Sequence, residues 1–218
     1  MVLRFEGSAH EIWAGFACHG RPIQYAHVSR PLALWDTWTP IAGYPAAFEP
    51  PSAGFALSWD TLGSMTEKGV QFATLTHSAG LSSTGDVELD ARLPLDEPYR
   101  IPVSTANAIA RAKGRGARVV TVGTTTVRAL EHAAASGLVV SGLGVATQRI
   151  GSKTRLRVVD AVLSGTHEKG TSHYELLRAF TSARTLARME QQLESHGYRT
   201  HEFGDSILVE KATVSTAV

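Results

Sequence analysis

Residues 104–137, STANAIARAKGRGARVVTVGTTTVRALEHAAASG, admit few ways of folding. Ser104 and Thr105 are residue types that cap a helix start, and the glycines at 114 and 116 stop the helical pattern that follows. Next comes a short β-branched run, ARVVTVG, whose length and unbroken apolarity suit a buried strand. A polar turn, Gly123-Thr124-Thr125-Thr126, leads into a second helix that ends at Gly137. Helix, strand and helix in that order form a unit of an α/β fold, since a strand apolar on both faces needs cover on both.

The remainder of the chain is compatible with that class. Residues 1–30 carry a short apolar pattern at Ile12, Trp13 and Phe16 and then Gly20, Arg21 and Pro22, which predicts a short helix ending in an irregular connection. We read 1–30 as a remnant of, or connection from, a further N-terminal region, and 31–218 as the α/β catalytic-type domain. Residues 40–58 hold four prolines and two glycines, a density that predicts a long ordered loop. A helix over 59–69 and a strand over 70–77 follow, and residues 77–102 read as a second loop. Residues 156–165 read as another core strand, 171–197 as one or two amphipathic helices, and 198–210 as a turn with a closing strand.

Bulk properties exclude several classes. No segment approaches the roughly 18 uninterrupted apolar residues that a membrane helix needs, and the first 13 residues have the form of neither a secretory signal nor a transit peptide. A single cysteine, Cys18, excludes an internal disulfide framework and fits a reducing compartment, so a cytoplasmic location is expected. A net charge of +1 gives no global footprint for nucleic acid, so any RNA contact must use a local patch or a partner. Neither G-x-S-x-G, G-x-G-x-x-G nor a phosphate-binding P-loop pattern occurs.

The turn at Gly123, Thr124 and Thr125 lies between a strand and a helix, where free backbone N–H groups can hold an anion such as a carboxylate. Arg128 follows in the first helical turn; on spacing alone it is as readily a solvated helix residue, and the threonines are common caps. His77, His167, His173 and His201 fall at or beside strand ends, where α/β folds place their sites. The 167/173 spacing matches no standard zinc pattern and no thiolates accompany it, so no metal is expected. Asp205 reads as a turn residue capping backbone N–H groups, and Asp96 and Glu97 beside Pro98 have the same structural reading.

The stretch RVVTVGTTTVRALE resembles the signature of the S-adenosylmethionine:tRNA ribosyltransferase-isomerase family of queuosine synthesis. Further matches follow the family's order: Pro51-Ser52-Ala53-Gly54, Thr74-Leu75, Glu97 with Tyr99-Arg100-Ile101-Pro102, Val159-Asp160-Ala161 through His167 to Ala179-Phe180, and Tyr198-Arg199 with Gly204-Asp205. The resemblance implies an α/β protein with a mixed sheet and flanking helices, corresponding to the family's larger domain. It also implies an enzyme that takes S-adenosylmethionine as substrate and tRNA as partner. Its ribosyl part is transferred and isomerised onto the aminomethyl group of a 7-deazaguanine base, giving epoxyqueuosine, adenine and methionine. By the same resemblance Ser52, Ala53, Gly54, His77, Gly123, Thr124, Thr125 and Arg128 bind substrate. His167 and Glu97 are the acid/base candidates, and Asp205 is an orienting or cation-binding carboxylate.

The departures from the pattern are specific. Ala56 stands where the family usually has a histidine, His77 lies one place along from another, and Asp96-Glu97 replaces Ser-Glu. In Gly165-Thr166-His167-Glu168-Lys169-Gly170-Thr171-Ser172 only the histidine matches securely. The family's N-terminal motifs and most of its inserted β-barrel are not matched. Strands left without those neighbours would present an edge for a second copy of the chain or a separate N-terminal subunit to cover. Two other readings stay open: a sulfonium-nucleoside enzyme with a small-molecule acceptor, and a catalytically silent S-adenosylmethionine- or RNA-binding module.

Overall fold

A computed structural model describes residues 4–24, 28–43, 49–200 and 203–212, so His201 lies outside the described residues. The chain forms two compact units, Met1–Trp38 and Thr39–Val218.

The first unit is built from local contacts. Its helix α1 (Ala9–His19) begins with a capping box: Glu11 N donates to Ser8 Oγ, and the Glu11 carboxylate accepts from Ser8 N at 2.8 Å. A 3₁₀ turn, Leu34–Thr37, is tied back by Arg30, whose guanidinium donates to both oxygens of Asp36 at 2.9 and 2.7 Å. Arg30 and the N–H of Ala33 hold the Asp36 carboxyl down at about 2. None of the described residues in this unit is buried.

Among the described residues of the second unit, helices α2 (Trp59–Glu67), α3 (Val87–Asp90), α4 (Val103–Gly114), α5 (Thr124–Ala133), α6 (Ser172–Leu177) and α7 (Ala183–Ser195) accompany six strands. These are β1 (Thr76–His77), β2 (Glu97–Ile101), β3 (Val120–Val122), β4 (Gly142–Ala146), β5 (Ala161–Gly165) and β6 (Ser206–Glu210). They make two three-stranded sheets: β1-β2-β4, antiparallel throughout, and β3-β5-β6, in which β3 and β5 run parallel and β6 antiparallel. The α/β class stands, with the mixed sheet confined to β3-β5-β6.

Helix α5 packs on strands of both sheets, and six of its last seven residues are buried. Val127, Ala129 and Leu130 join Ile101, Val159, Val162, Leu177, Phe180 and Leu186 in one apolar core. Truncating any of the larger members to alanine removes roughly 2–5 kcal/mol.

Three local expectations change. The predicted strand over 70–77 shrinks to Thr76–His77, because Val70 and Phe72 stay exposed and β2 pairs with Thr76 and His77 alone among the described residues. The second loop holds α3 and β2. The prolines at 94 and 98 hide β2 from a periodicity reading, yet Pro98 O still accepts from Ser78 N at 2.9 Å. Helix α4 starts behind Pro102 without a side-chain cap, and Thr105 Oγ1 instead donates to Thr74 O at 2.5 Å.

Strand β4 was not predicted, because its glycines break the apolar pattern. One of them is required by the packing. Gly144 pairs with Tyr99, and a Cβ there would come within 2.4 Å of the tyrosine ring. The ring lies over the glycine, and its hydroxyl meets His132 Nδ1 at 2.9 Å.

Candidate active site

Parallel pairing fixes where the chemistry-bearing loops meet. Val122 is the register partner of Leu163, so β3 ends alongside the last part of β5, and the contact continues through Gly123 N donating to Leu163 O at 2.8 Å. The Gly123 turn leaves one strand end, and Thr166-His167 leaves the other. Strand β6 starts opposite Gly165, which brings Gly204 and Asp205 to the same end, with Thr166 N donating to Asp205 O at 3.0 Å. The 3₁₀ turn Ser52–Ala56 packs against β5, and Phe55 meets Phe203 at 5.2 Å between ring centroids. Loops at the carboxyl ends of parallel strands are where open α/β sheets hold ligands.

Gly123 takes a positive φ of 89°, a conformation that side chains rarely adopt, and it turns the chain from β3 into α5. No side chain caps that helix start. Thr126 Oγ1 donates back to Val122 O at 2.8 Å, while Thr124 is buried and Thr125 half-buried beside it. The opening of α5 therefore presents backbone donors, with the positive end of the helix dipole behind them.

Arg128 is not solvated, as spacing alone would allow: it is 3% exposed. Its NH1 donates to Glu97, its NH2 to the carbonyls of Leu95 and Ala146 at 3.0 Å, and its Nε and NH2 to Gln148 O at 3.3 and 3.2 Å. Gln148 returns a bond from Nε2 to Arg128 O at 2.7 Å. The guanidinium thus fastens α5 to the paired ends of β2 and β4, where Glu97 faces Ala146.

Glu97 is the shared counter-charge. Its Oε1 accepts from Gly80 N at 3.1 Å, and its Oε2 lies 3.3 Å from His77 Nε2. Among the described residues neither buried ring nitrogen of His77 has a hydrogen-bond partner, so its approach to Glu97 is a close polar contact rather than a hydrogen bond. Burial pushes the Glu97 carboxyl up, but contact with His77 and the charges of Arg128 and His77 outweigh it, leaving a net depression. Glu97 is ionised at neutral pH, which suits an anchor or proton acceptor and not a proton donor.

His173, at the start of α6, stacks on His167 with ring centroids 4.4 Å apart and planes 18° off parallel. Burial pushes the His173 imidazole down; the Glu97 charge opposes this and the Arg128 charge adds to it. His173 is therefore neutral at physiological pH and lies within the field of the Arg128–Glu97 pair. Among the described residues no three His, Cys, Asp or Glu side chains converge as a metal-binding group.

Of the residues singled out from sequence, His77 and Arg128 each meet Glu97, while His167 stacks on His173, which feels the charges of Glu97 and Arg128. Gly123, Thr124 and Thr125 sit one helical turn from Arg128. Asp205 turns into its own loop, where Oδ2 accepts from Arg199 N at 2.7 Å, and Thr166 Oγ1 braces the same loop on Arg199 O at 2.8 Å. Ser52, Ala53 and Gly54 shape the adjoining turn. A Cβ at Gly54 would come within 2.7 Å of Ile41 and 2.9 Å of Thr39 Oγ1. Glu49 secures that segment by accepting from both N and Oγ of Ser82 at 2.9 Å.

Sequence reasoning missed the positioning groups: Gly80, Gln148 and Glu131. Glu131 closes the VRALE signature, and its carboxylate accepts from the backbone N–H groups of Arg157, Val158 and Val159 at 2.8–2.9 Å. The signature's Arg and Glu therefore each secure one side of α5.

A family model described as queuosine biosynthesis protein matches residues 3–209. The "S-adenosylmethionine:tRNA ribosyltransferase-isomerase" of Thiobacillus denitrificans is 35% identical over 197 residues, covering 89% of this chain and 57% of that protein. The protein of the same name from Thermus thermophilus is 34% identical over 211 residues, covering 95% and 60%. The crystal structure of an S-adenosylmethionine tRNA ribosyltransferase from Thermotoga maritima superposes with a TM-score of 0.58 at 26% identity, covering 72% of this chain and 50% of that one. The chain spans between about half and three fifths of the length of these relatives.

Proposed function

The chain belongs to the queuosine biosynthesis protein family, and from that premise we propose that it uses S-adenosylmethionine as a ribosyl donor. In this reading the ribosyl group is transferred to a 7-aminomethyl-7-deazaguanine base in tRNA and isomerised there. One observation supports the proposal: β3 and β5 run parallel, so the uncapped start of α5 and the loop that carries His167 leave the same end of the sheet.

The reaction needs three things: an anchor for the methionine carboxylate, a base for the acidic carbon next to the sulfonium, and stabilisation of charge as adenine departs. Backbone N–H groups at Thr124 and Thr125 supply the anchor. His167 is the base, held by the neutral ring of His173 against its face. Arg128 and Glu97 act through others: Arg128 fixes the start of α5 on the sheet, and Glu97 holds Arg128 and lies against His77. Asp205 shapes the loop that carries His167.

The test is mass-spectrometric detection of adenine and methionine after incubation with S-adenosylmethionine, with and without tRNA carrying the aminomethyl-deazaguanine base. Release that requires this tRNA is the expected result. Release without tRNA would replace it with a small-molecule acceptor or hydrolysis, and binding without release would make the chain an S-adenosylmethionine-binding module.

A further inference from the structure

Around 580 Å³ of surface depression in the second unit is lined by Gly137, Arg155, Leu156, Arg157 and Lys211, none of which belongs to the candidate active site. Leu156 and Val158 are buried while Arg155 and Arg157 are exposed, so the alternation turns both guanidinium groups outward. Lys211 joins them from the end of β6, and its Nζ donates to Leu156 O at 2.9 Å.

The carboxylates adjoining this segment are already engaged. Glu131 accepts the backbone N–H groups of residues 157–159. Asp160 is held by Lys113 Nζ at 3.0 Å and by Val119 N at 2.8 Å. Glu210 pairs with Arg118. Arg155 and Arg157, by contrast, form no ion pair among the described residues. The outcome is a local excess of positive charge in a chain whose net charge is only +1. Its backbone is fixed beforehand by the buried Glu131, so little ordering is required when a ligand arrives.

We propose that Arg155, Arg157 and Lys211 form a docking surface for the phosphate backbone of an RNA strand, separate from the site that handles S-adenosylmethionine. The inference rests on the tRNA-modification reading, to which it adds the surface that holds the tRNA. Two guanidinium forks facing one open depression suit bidentate contact with phosphate oxygens. Such contacts fix register without reading sequence, and they supply the salt-dependent part of affinity.

The experiment is fluorescence anisotropy of the full chain with a labelled tRNA transcript across a salt series, comparing wild type, R155Q/R157Q and R155K/R157K. The glutamine pair should weaken binding about tenfold near physiological salt and lower the salt slope by about 1.4, at about 0.7 for each lost phosphate contact. The lysine pair should keep the wild-type slope, which separates charge from folding, and S-adenosylmethionine affinity should be unchanged in both. Wild-type slope and affinity in the glutamine pair would overturn the surface and leave the ribosyl-transfer reading intact. So would loss of binding to phosphatidylserine vesicles with tRNA affinity unchanged, which would make the patch a lipid contact. Adenine release that ignores tRNA would overturn the ribosyl-transfer reading while the binding curves still decided the surface.

Discussion

Arg128 and Glu131 lie three residues apart on α5 and are both buried, at 3% and 5% exposure, yet the two regions they anchor differ in whether a second buried charge is present. Glu131 meets three backbone N–H groups within 2.9 Å and, among the described residues, no charged partner. Arg128 also meets main chain, the carbonyls of Leu95, Ala146 and Gln148, but in addition another buried charge, Glu97, shared with a histidine whose ring nitrogens have no hydrogen-bond partner among the described residues. A carboxylate saturated by main-chain donors is a structural clamp. A buried charge pair with incompletely satisfied neighbours stores electrostatic potential, and perturbed groups of that kind cluster at functional sites.

The comparison breaks most severely at Arg128. Arg128→Ala leaves Glu97 buried without its cation and should cost about 3–5 kcal/mol in urea unfolding, whereas Arg128→Met combined with Glu97→Leu should recover much of that loss. If the double variant lost the full sum of the singles, the pair would not be coupled and the contrast with Glu131 would disappear. Glu131→Ala should cost somewhat less, about 2–4 kcal/mol, because the orphaned N–H groups of residues 157–159 are neutral and the outer one can reach water. A melting profile unchanged by that substitution would show that the clamp contributes nothing. Tyr99→Phe removes one neutral hydrogen bond to His132 on the same helix and sets the lower bound, about 0.5–1.5 kcal/mol.

The gentlest probe changes only the solvent. His173 is held below its ordinary value of 6.5, so below that pH the unfolded chain binds a proton that the folded chain refuses, and stability falls with acid. Glu97 is held below its ordinary 4.5, so its stabilisation is present above that pH and fades as pH drops through the folded value. Unfolding free energy followed from about pH 8 to pH 4 should decline first near 6.5 and again below 4.5. His173→Asn should remove the first step and leave the second.

The sequence was informative where a pattern spans many residues and silent where a single long-range contact decides. The α4-β3-α5 unit was legible because helical period, apolar run and glycine stops succeed one another without interruption. Strands β2 and β4 were not, since Pro98 interrupts one and Gly142 and Gly144 thin the other; their existence depends on pairing with each other. In the candidate site, the pairing of Gly123 with Leu163, which sends their two loops off one end of the sheet, follows from a parallel register that no local signal announces. Arg128 matched a solvated helix residue on spacing, because its burial depends on Glu97, Leu95, Ala146 and Gln148, distant in sequence. The capping reading of Asp205 was legible because its partner, Arg199, is only six residues away.

The tyrosine that covers Gly144 sets a limit on how this region can vary. In a saturation library of β4, position 143 should accept almost any residue, since Leu143 is 87% exposed. Position 144 should accept glycine alone for as long as Tyr99 is kept, because even a methyl group would occupy the ring's place. Adjacent columns of that map would then differ about as much as any two in the chain. A larger residue at 144 should be recovered only together with a smaller one at 99, so the two positions change as a single unit of inheritance.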